Sequence, residues 1–390
     1  MYKRDISQYL QNIGPKYPVL TVIGPRQSGK STLVRELFKD YRYISLETPD
    51  DRLLAQEDPR KFFERYSHKL IIDEVQRVPQ LLSYIQTFVD EPGFSGQFVL
   101  TGSHQLLLME KITQSLAGRT VIVKLLPFSS HELKQTGESE HVSLDEAMHT
   151  GGYPRIFDKH LPAQQWLAQY YQTYVERDVR ELIQIEQLAL FERFVSLCAG
   201  RVGQLLNYSS FGTDVGTSAP TIRSWLSVLQ TSFICFQLTP HYRNFSKRLI
   251  KSPKLYFFDT GLLCYLLKIR TPEQLALHPL RGSIFENWVI LEKMKQYLNQ
   301  GLEAPLYFWR DTHGHEIDLI IDQGTWLDPI EIKSSSTFNE SFLKNLKYFD
   351  ELQQTNPAKL RGECIYGGDH SYEYKQFKIS SWKEKHYSLK

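Results

Sequence analysis

An apolar, β-branched run, PVLTVIG, leads straight into Gly24-Pro25-Arg26-Gln27-Ser28-Gly29-Lys30-Ser31-Thr32, and the helix-forming segment STLVRELFKD overlaps its end. A strand that ends in glycine and re-emerges as a helix must turn within a few residues. The spacing G-x-x-x-x-G-K-[ST] lets successive backbone N–H groups of that turn curl around one anion. The helix N-terminus adds a favourable field, Lys30 reaches toward the terminal phosphates of a nucleotide, and the Ser31 hydroxyl suits Mg²⁺. Residues 24–32 are therefore the expected nucleotide contacts.

From Val19 to Leu125 short β-rich runs alternate with helical ones: PVLTVIG, YRYISL, KLIIDEV, QFVLTGS and RTVIVKL. This is the rhythm of a parallel α/β sheet. KLIIDEV ends in Asp73-Glu74, an acidic pair at the end of an apolar strand. Asp73 is the candidate holder of Mg²⁺ and Glu74 the candidate for polarising an attacking water, which favours hydrolysis over phosphoryl transfer to a small molecule. QFVLTGS ends in Thr101 and Ser103, and Ser103 is the expected γ-phosphate sensor or water-orienting group, with helix capping as its alternative role.

Composition narrows the classes further. With 390 residues, 41% hydrophobic and 23% charged, the chain is neither one small module nor globally disordered. Lys+Arg 46 against Asp+Glu 44 leaves +2, so any nucleic-acid surface has to be local. Four scattered cysteines give neither a disulfide framework nor a zinc spacing, and no apolar run is long enough to span a bilayer. A cytoplasmic protein without a membrane partner is expected.

Taken together, GPRQSGKSTL, IIDEVQRVPQLL, FVLTGS, SLAGR, LLPFSSHEL and GGYP resemble the predicted AAA+-superfamily ATPases that carry an uncharacterised C-terminal domain. The likeness continues through YVERDV, SPKLYFFDTGLL, GSIFENWV and the EIDLII and EIK segments, nearly the whole chain. The resemblance implies ATP and Mg²⁺ as ligands and a sensor strand between the phosphate-loop strand and the Asp-Glu strand. It also implies an arginine at the γ-phosphate. Arg119 in SLAGR is the candidate, Arg155 after GGYP a second one in the lid, and a surface ion pair is the alternative for either. Relatives in that superfamily often form rings, so a homo-oligomer with Arg119 acting in trans is one arrangement it allows.

The remaining chain divides into three expected units after an ATPase domain over 1–140: a helical lid or connector over 141–200, a winged-helix segment over 201–270 and a nuclease-like domain over 271–390. In the winged segment a helix, a glycine-containing turn and a helix starting near Ser218 or Pro220 outline a helix-turn-helix, and FICFQL and KLYFFD would form the wing. Thr221, Arg223 and Ser224 lie near the start of the second helix. Between the wing strands, HYRNFSKRLIKSPK holds Arg243, Lys247, Arg248 and Lys251 with Tyr242 and Phe245 interleaved, the one local basic patch suited to DNA. In the last unit, the order helix, three strands, helix, strand is that of a PD-(D/E)xK nuclease-like core. Asp318, Glu331 and Lys333, with Glu286 on the preceding helix, fall at its telling positions, and Asp318 and Glu331 are candidate ligands of a second divalent cation. Glu331 and Lys333, two apart on a strand, point the same way. His313 and His315 read as turn residues, and Arg310 with Asp311 as a turn ion pair.

The reading is an ATP-hydrolysing switch that couples nucleotide state to DNA binding. An ATP-regulated DNA nuclease and a nucleotide-dependent protein-interaction switch without nuclease activity are its alternatives.

Overall fold

The computed structural model describes residues 2–66, 69–90, 96–103, 114–137, 142–175, 188–241, 252–353 and 362–384. Its N-terminal part is a five-stranded parallel sheet of β1 (Val19–Ile23), β2 (Arg42–Ser45), β3 (Leu70–Asp73), β4 (Phe98–Gly102) and β5 (Thr120–Lys124), in the order β2-β3-β4-β1-β5. The strand ending in Gly102 thus lies between the strand feeding the phosphate loop and the strand ending in Asp73, the order the resemblance implied.

Alternation along these strands sorts their side chains onto two covered faces. Leu20, Val22, Ile71, Val99 and Val123 pack with Leu33 and Val34 of the helix Lys30–Leu37. Val19, Ile23, Leu70, Ile72, Phe98 and Leu100 face the other way, into a core that continues without a break through Tyr153, Phe194, Trp225, Phe257, Ile284 and Ile330. Because that core is shared, the later units are packed onto the sheet rather than tethered to it.

Among the described residues of the middle of the chain, helices Leu144–Thr150, Leu188–Gly200, Tyr208–Val215 and Ala219–Thr231 lead to an antiparallel ribbon of β6 (Cys235–Leu238) and β7 (Lys254–Phe257). Gly216 ends the second of these helices in the left-handed region, and Ser218 caps the third by accepting from Thr221 N–H. Two helices joined by a short turn thus precede the two-stranded ribbon.

The last part holds the helix Arg281–Leu298 and a six-stranded sheet of β8 (Leu306–Arg310), β9 (Glu316–Asp322), β10 (Leu327–Lys333), β11 (Glu363–Tyr366), β12 (Tyr372–Tyr374) and β13 (Phe377–Ser381), in the order β12-β13-β11-β10-β9-β8. The first three strands are antiparallel, β10 and β11 parallel. The helix Lys344–Gln353 precedes β11 as expected; β12 and β13 are additions that the sequence reading lacked. The free edge of β8 is covered by the chain leaving β6: Phe308 N–H donates to Thr239 O (3.2 Å) and His241 N–H to Phe308 O (2.8 Å). None of the helices among the described residues is long and apolar enough to cross a membrane, and all four cysteines are free and buried.

Candidate functional site

At the C-terminal edge of the parallel sheet the phosphate loop folds as its residue types require. Gly24 lies so close to the end of β5 that a Cβ there would sit 2.1 Å from Leu125 O, and Gly29 (φ 91°) caps the helix Lys30–Leu37 with no side chain over its N–H groups. Lys30 is buried and donates to Gly24 O (3.0 Å) and Pro25 O (2.8 Å). Burial lowers its pKa to about 8, against the pull of Glu74 and Asp73. Ser28 Oγ is buried with no partner in the protein.

Three hydroxyls converge on Asp73 at the end of β3. Ser31 donates at 2.8 Å and Tyr43 at 2.7 Å, and Thr101 adds a short bond from the neighbouring strand. Burial, with Asp73 adding to it, pushes the Tyr43 phenol up, so it stays a donor. Glu74 follows in a left-handed conformation (φ 57°), uncommon for a residue other than glycine. It accepts from Ser103 Oγ at 3.0 Å and from Gln76, whose amide also reaches Ser103 Oγ (3.2 Å). A cavity of about 570 Å³ opens over Lys30, Ser31, Asp73 and Glu74, and Arg26, Gln27, Gly29 and Thr32 also line it. An oxygen-only pair of hydroxyl and carboxylate, Ser31 and Asp73, beside a loop of amide donors fits Mg²⁺ carried by a triphosphate.

Arg155 lines this cavity and Arg119 does not. Arg119 precedes Thr120, which pairs with Val19 at the start of β1, whereas the phosphate loop follows Ile23 at the other end. Four residue steps along a strand separate those ends by roughly 13 Å. Arg119 instead makes a two-pronged pair with Asp90. Within one chain it is a surface ion pair, the alternative weighed for it.

One residue that the sequence reading missed braces the loop. Arg4, 6% exposed, donates to Ser28 O (2.8 Å), Leu126 O (2.7 Å) and Glu132 Oε1 (2.9 Å), and its guanidinium lies over the Phe128 ring. Glu132 is 1% exposed, so Arg4→Met leaves a buried carboxylate unpaired and is expected to cost about 3–5 kcal/mol of stability. Denaturant unfolding checks this, and Arg4→Met/Glu132→Gln, which removes the stranded charge, is expected to regain most of the loss.

In the middle unit Thr221 is tied to the Ser218 cap (2.8 Å), while Arg223 is exposed over the Tyr208 ring and Ser224 is exposed beside it. Arg243, Lys247, Arg248 and Lys251, with Tyr242 and Phe245, lie outside the described residues.

The C-terminal unit gathers Glu286, Asp318, Glu331 and Lys333 in one place, but their partners are not those of a metal site. Lys333 Nζ sits 2.6 Å from Glu331 Oε2 and 3.1 Å from Asp318 Oδ2, which also accepts from Ile332 N–H at 2.8 Å. Lys254, reaching in from β7, lies 3.0 Å from Glu286 Oε1 and 2.5 Å from Glu316 Oε1; Tyr256 donates to Glu286, and Arg310 pairs with Glu316 at 3.1 Å. Burial, reinforced by Asp318, pushes the Glu331 carboxyl up to about 9, and burial likewise raises Glu286. Against its own burial, Asp318 is held below the usual range by Lys333 and Lys254. Among the described residues no group of three or more His, Cys, Asp or Glu side chains could hold a metal ion. Between Asp318 and Glu331, the two expected cation ligands, lies the Lys333 ammonium, and Glu331 Oε1 is buried with no partner in the protein. Arg310 and Asp311 are not partners either: Asp311 accepts the His313 and His315 N–H groups and His315 Nδ1, holding the turn.

The parallel sheet and its glycine loop have the arrangement of a P-loop nucleotide-binding fold, and residues 16–134 match the AAA domain. Residues 141–273 and 281–384 match two domains of unknown function (DUF8612 and DUF4143). Uncharacterized proteins of Mycobacterium tuberculosis and Mycobacterium bovis are each 32% identical over 374 residues, 95% of this chain and 81% of theirs, and the chain belongs to their family. An uncharacterized protein of Haemophilus influenzae is 24% identical over 277 residues, 63% of this chain and 68% of that one. Among solved structures, a Walker-type ATPase of Pyrococcus abyssi is similar with a TM-score of 0.43 and 16% identity, over 68% of this chain and 96% of that chain.

Proposed function

We propose that this protein is a Mg²⁺-dependent ATP hydrolase whose nucleotide state governs contact between its middle unit and DNA. The observation that carries the first half is the convergence of Lys30, Ser31, Asp73 and Glu74 on one cavity at the phosphate loop. Lys30 and the loop N–H groups bind the β- and γ-phosphates, and Ser31 and Asp73 would hold the metal. When bound, Mg²⁺ neutralises charge developing on the phosphoryl oxygens. Tyr43 and Thr101 orient Asp73, and Ser103 and Gln76 orient Glu74, so that the Glu74 carboxylate is placed to accept a proton from water. Arg155, which lines the same cavity, is the candidate arginine for the charge on the phosphates.

The second half rests on the helix-turn-helix outline, the winged segment's ribbon and the exposed Arg223, together with the basic sequence between β6 and β7. Its test is Mg²⁺-dependent phosphate release by the full chain with and without duplex DNA. A several-fold, salt-sensitive acceleration that is weakened by Arg223→Ala is expected. A rate indifferent to DNA at low salt would remove DNA from the reading and leave nucleotide-dependent assembly with a protein or a second copy. The lysine-filled C-terminal cluster favours that switch over a nuclease as the second reading.

A further inference from the structure

Lys254 belongs to the middle unit, yet its ammonium ends among carboxylates of the C-terminal unit. It is 2% exposed, bonded to Glu286 on the helix Arg281–Leu298 and to Glu316 on β9, with the Phe308 ring 5.4 Å away. Two residues on, and therefore on the same side of β7, Tyr256 donates to the same Glu286 oxygen. The strand is held in place through its backbone: Asn287, fully buried, accepts from Phe257 N–H at 2.6 Å and donates to Phe257 O at 2.8 Å. Lys254 is thus delivered by a docked strand, not by a free side chain.

Divalent cations bind carboxylate oxygens at about 2.0–2.6 Å and need several of them turned toward one point. Here each carboxylate has an ammonium or guanidinium at ion-pair distance, while Glu331 Oε1 is buried with no partner in the protein. Four carboxylates (Glu286, Glu316, Asp318 and Glu331) face three cations (Lys254, Lys333 and Arg310). A cation of charge two inserted among them would meet two ammonium groups at close range in a poorly screened interior.

We propose that Lys254 is the resident cation of the C-terminal carboxylate cluster, standing where a divalent metal would stand in a nuclease-like core. The cluster is then an ion-pair lock between the ribbon of the middle unit and the helix Arg281–Leu298, and it takes up no metal and cleaves no phosphodiester while Lys254 is seated. The lock does not depend on ATP hydrolysis.

The test uses the full chain without nucleotide. Mn²⁺ binding, read from the free-ion EPR signal, is expected to be the same for wild type and Asp318→Asn, and supercoiled plasmid is expected to stay intact in Mg²⁺ or Mn²⁺. Lys254→Met is expected to lower the unfolding temperature by about 5–10 °C and to acquire an upward shift with Mn²⁺ that Glu286→Gln abolishes. If Lys254→Met does not fold, Lys254→Met/Glu316→Gln, which lifts charge from both sides, is expected to restore folding. A saturable Mn²⁺ site in wild type that Asp318→Asn removes would overturn the proposal. So would plasmid nicking that depends on Asp318 and Lys333, or a double variant no more stable than Lys254→Met.

Discussion

Glu74→Gln is expected to lower ATP turnover by about 10²–10⁴-fold while nucleotide affinity stays nearly unchanged, the range a positioned general base contributes. The substitution keeps the side chain's shape and its bonds with Ser103 and Gln76 but removes the oxygen able to take a proton. Phosphate release measured beside titration with a fluorescent ATP analogue separates the two effects. Asp73→Asn should behave differently. Because Ser31, Tyr43 and Thr101 all donate to that carboxylate, its loss disturbs metal binding and loop geometry together, so affinity for Mg²⁺-ATP falls along with turnover. Turnover in Glu74→Gln equal to that of wild type would remove Glu74 from the chemistry and return the acidic pair to a structural turn.

The second large effect is at Lys30. A hydrogen bond from a charged donor is worth about 1.5–3 kcal/mol, so Lys30→Met is expected to weaken ATP binding by roughly 10- to 150-fold. Its pKa of about 8, lowered by burial, adds a pH signature. Below that value the free protein carries the ammonium and affinity is flat. Above it the free protein has lost the proton that the bound phosphates demand, so affinity falls by up to tenfold per pH unit and binding takes up a proton. In the same window the ligand-free fold gains stability with rising pH, since the unfolded chain still holds a proton that the folded Lys30 has shed. Titration calorimetry in two buffers of different ionisation enthalpy reads the proton uptake. Wild-type affinity that does not change between pH 7 and 9.5 would show that Lys30 keeps its proton in the cavity.

The other contacts of the nucleotide site differ in how far apart in the chain their partners lie. Ser103 and Glu74, from adjacent strands, were both marked by their positions at strand ends, and they meet. Tyr43, Gln76 and Arg4 carried no such mark. Tyr43 sits mid-strand in β2 and reaches Asp73 only because β2 lies beside β3. Arg4, in a segment with no motif, is placed by partners more than a hundred residues away.

By itself the sequence determined the parallel α/β core, the phosphate loop, the acidic pair after β3 and the element order of the last unit as far as β11. Those features are local: a strand's alternation, a glycine's access to the left-handed region at Gly29 and a helix's apolar face are each set by residues within a few positions of one another. Tertiary structure alone decided which charges meet. Arg119, chosen for its motif, stands at the opposite end of the sheet from the phosphates, because position along a strand, not residue type, sets which edge a side chain serves. Lys254, the last residue of the basic segment expected to face DNA, lies among the carboxylates of Glu286 and Glu316, because a buried charge is settled by whatever opposite charge the packing of distant segments brings within about 3 Å.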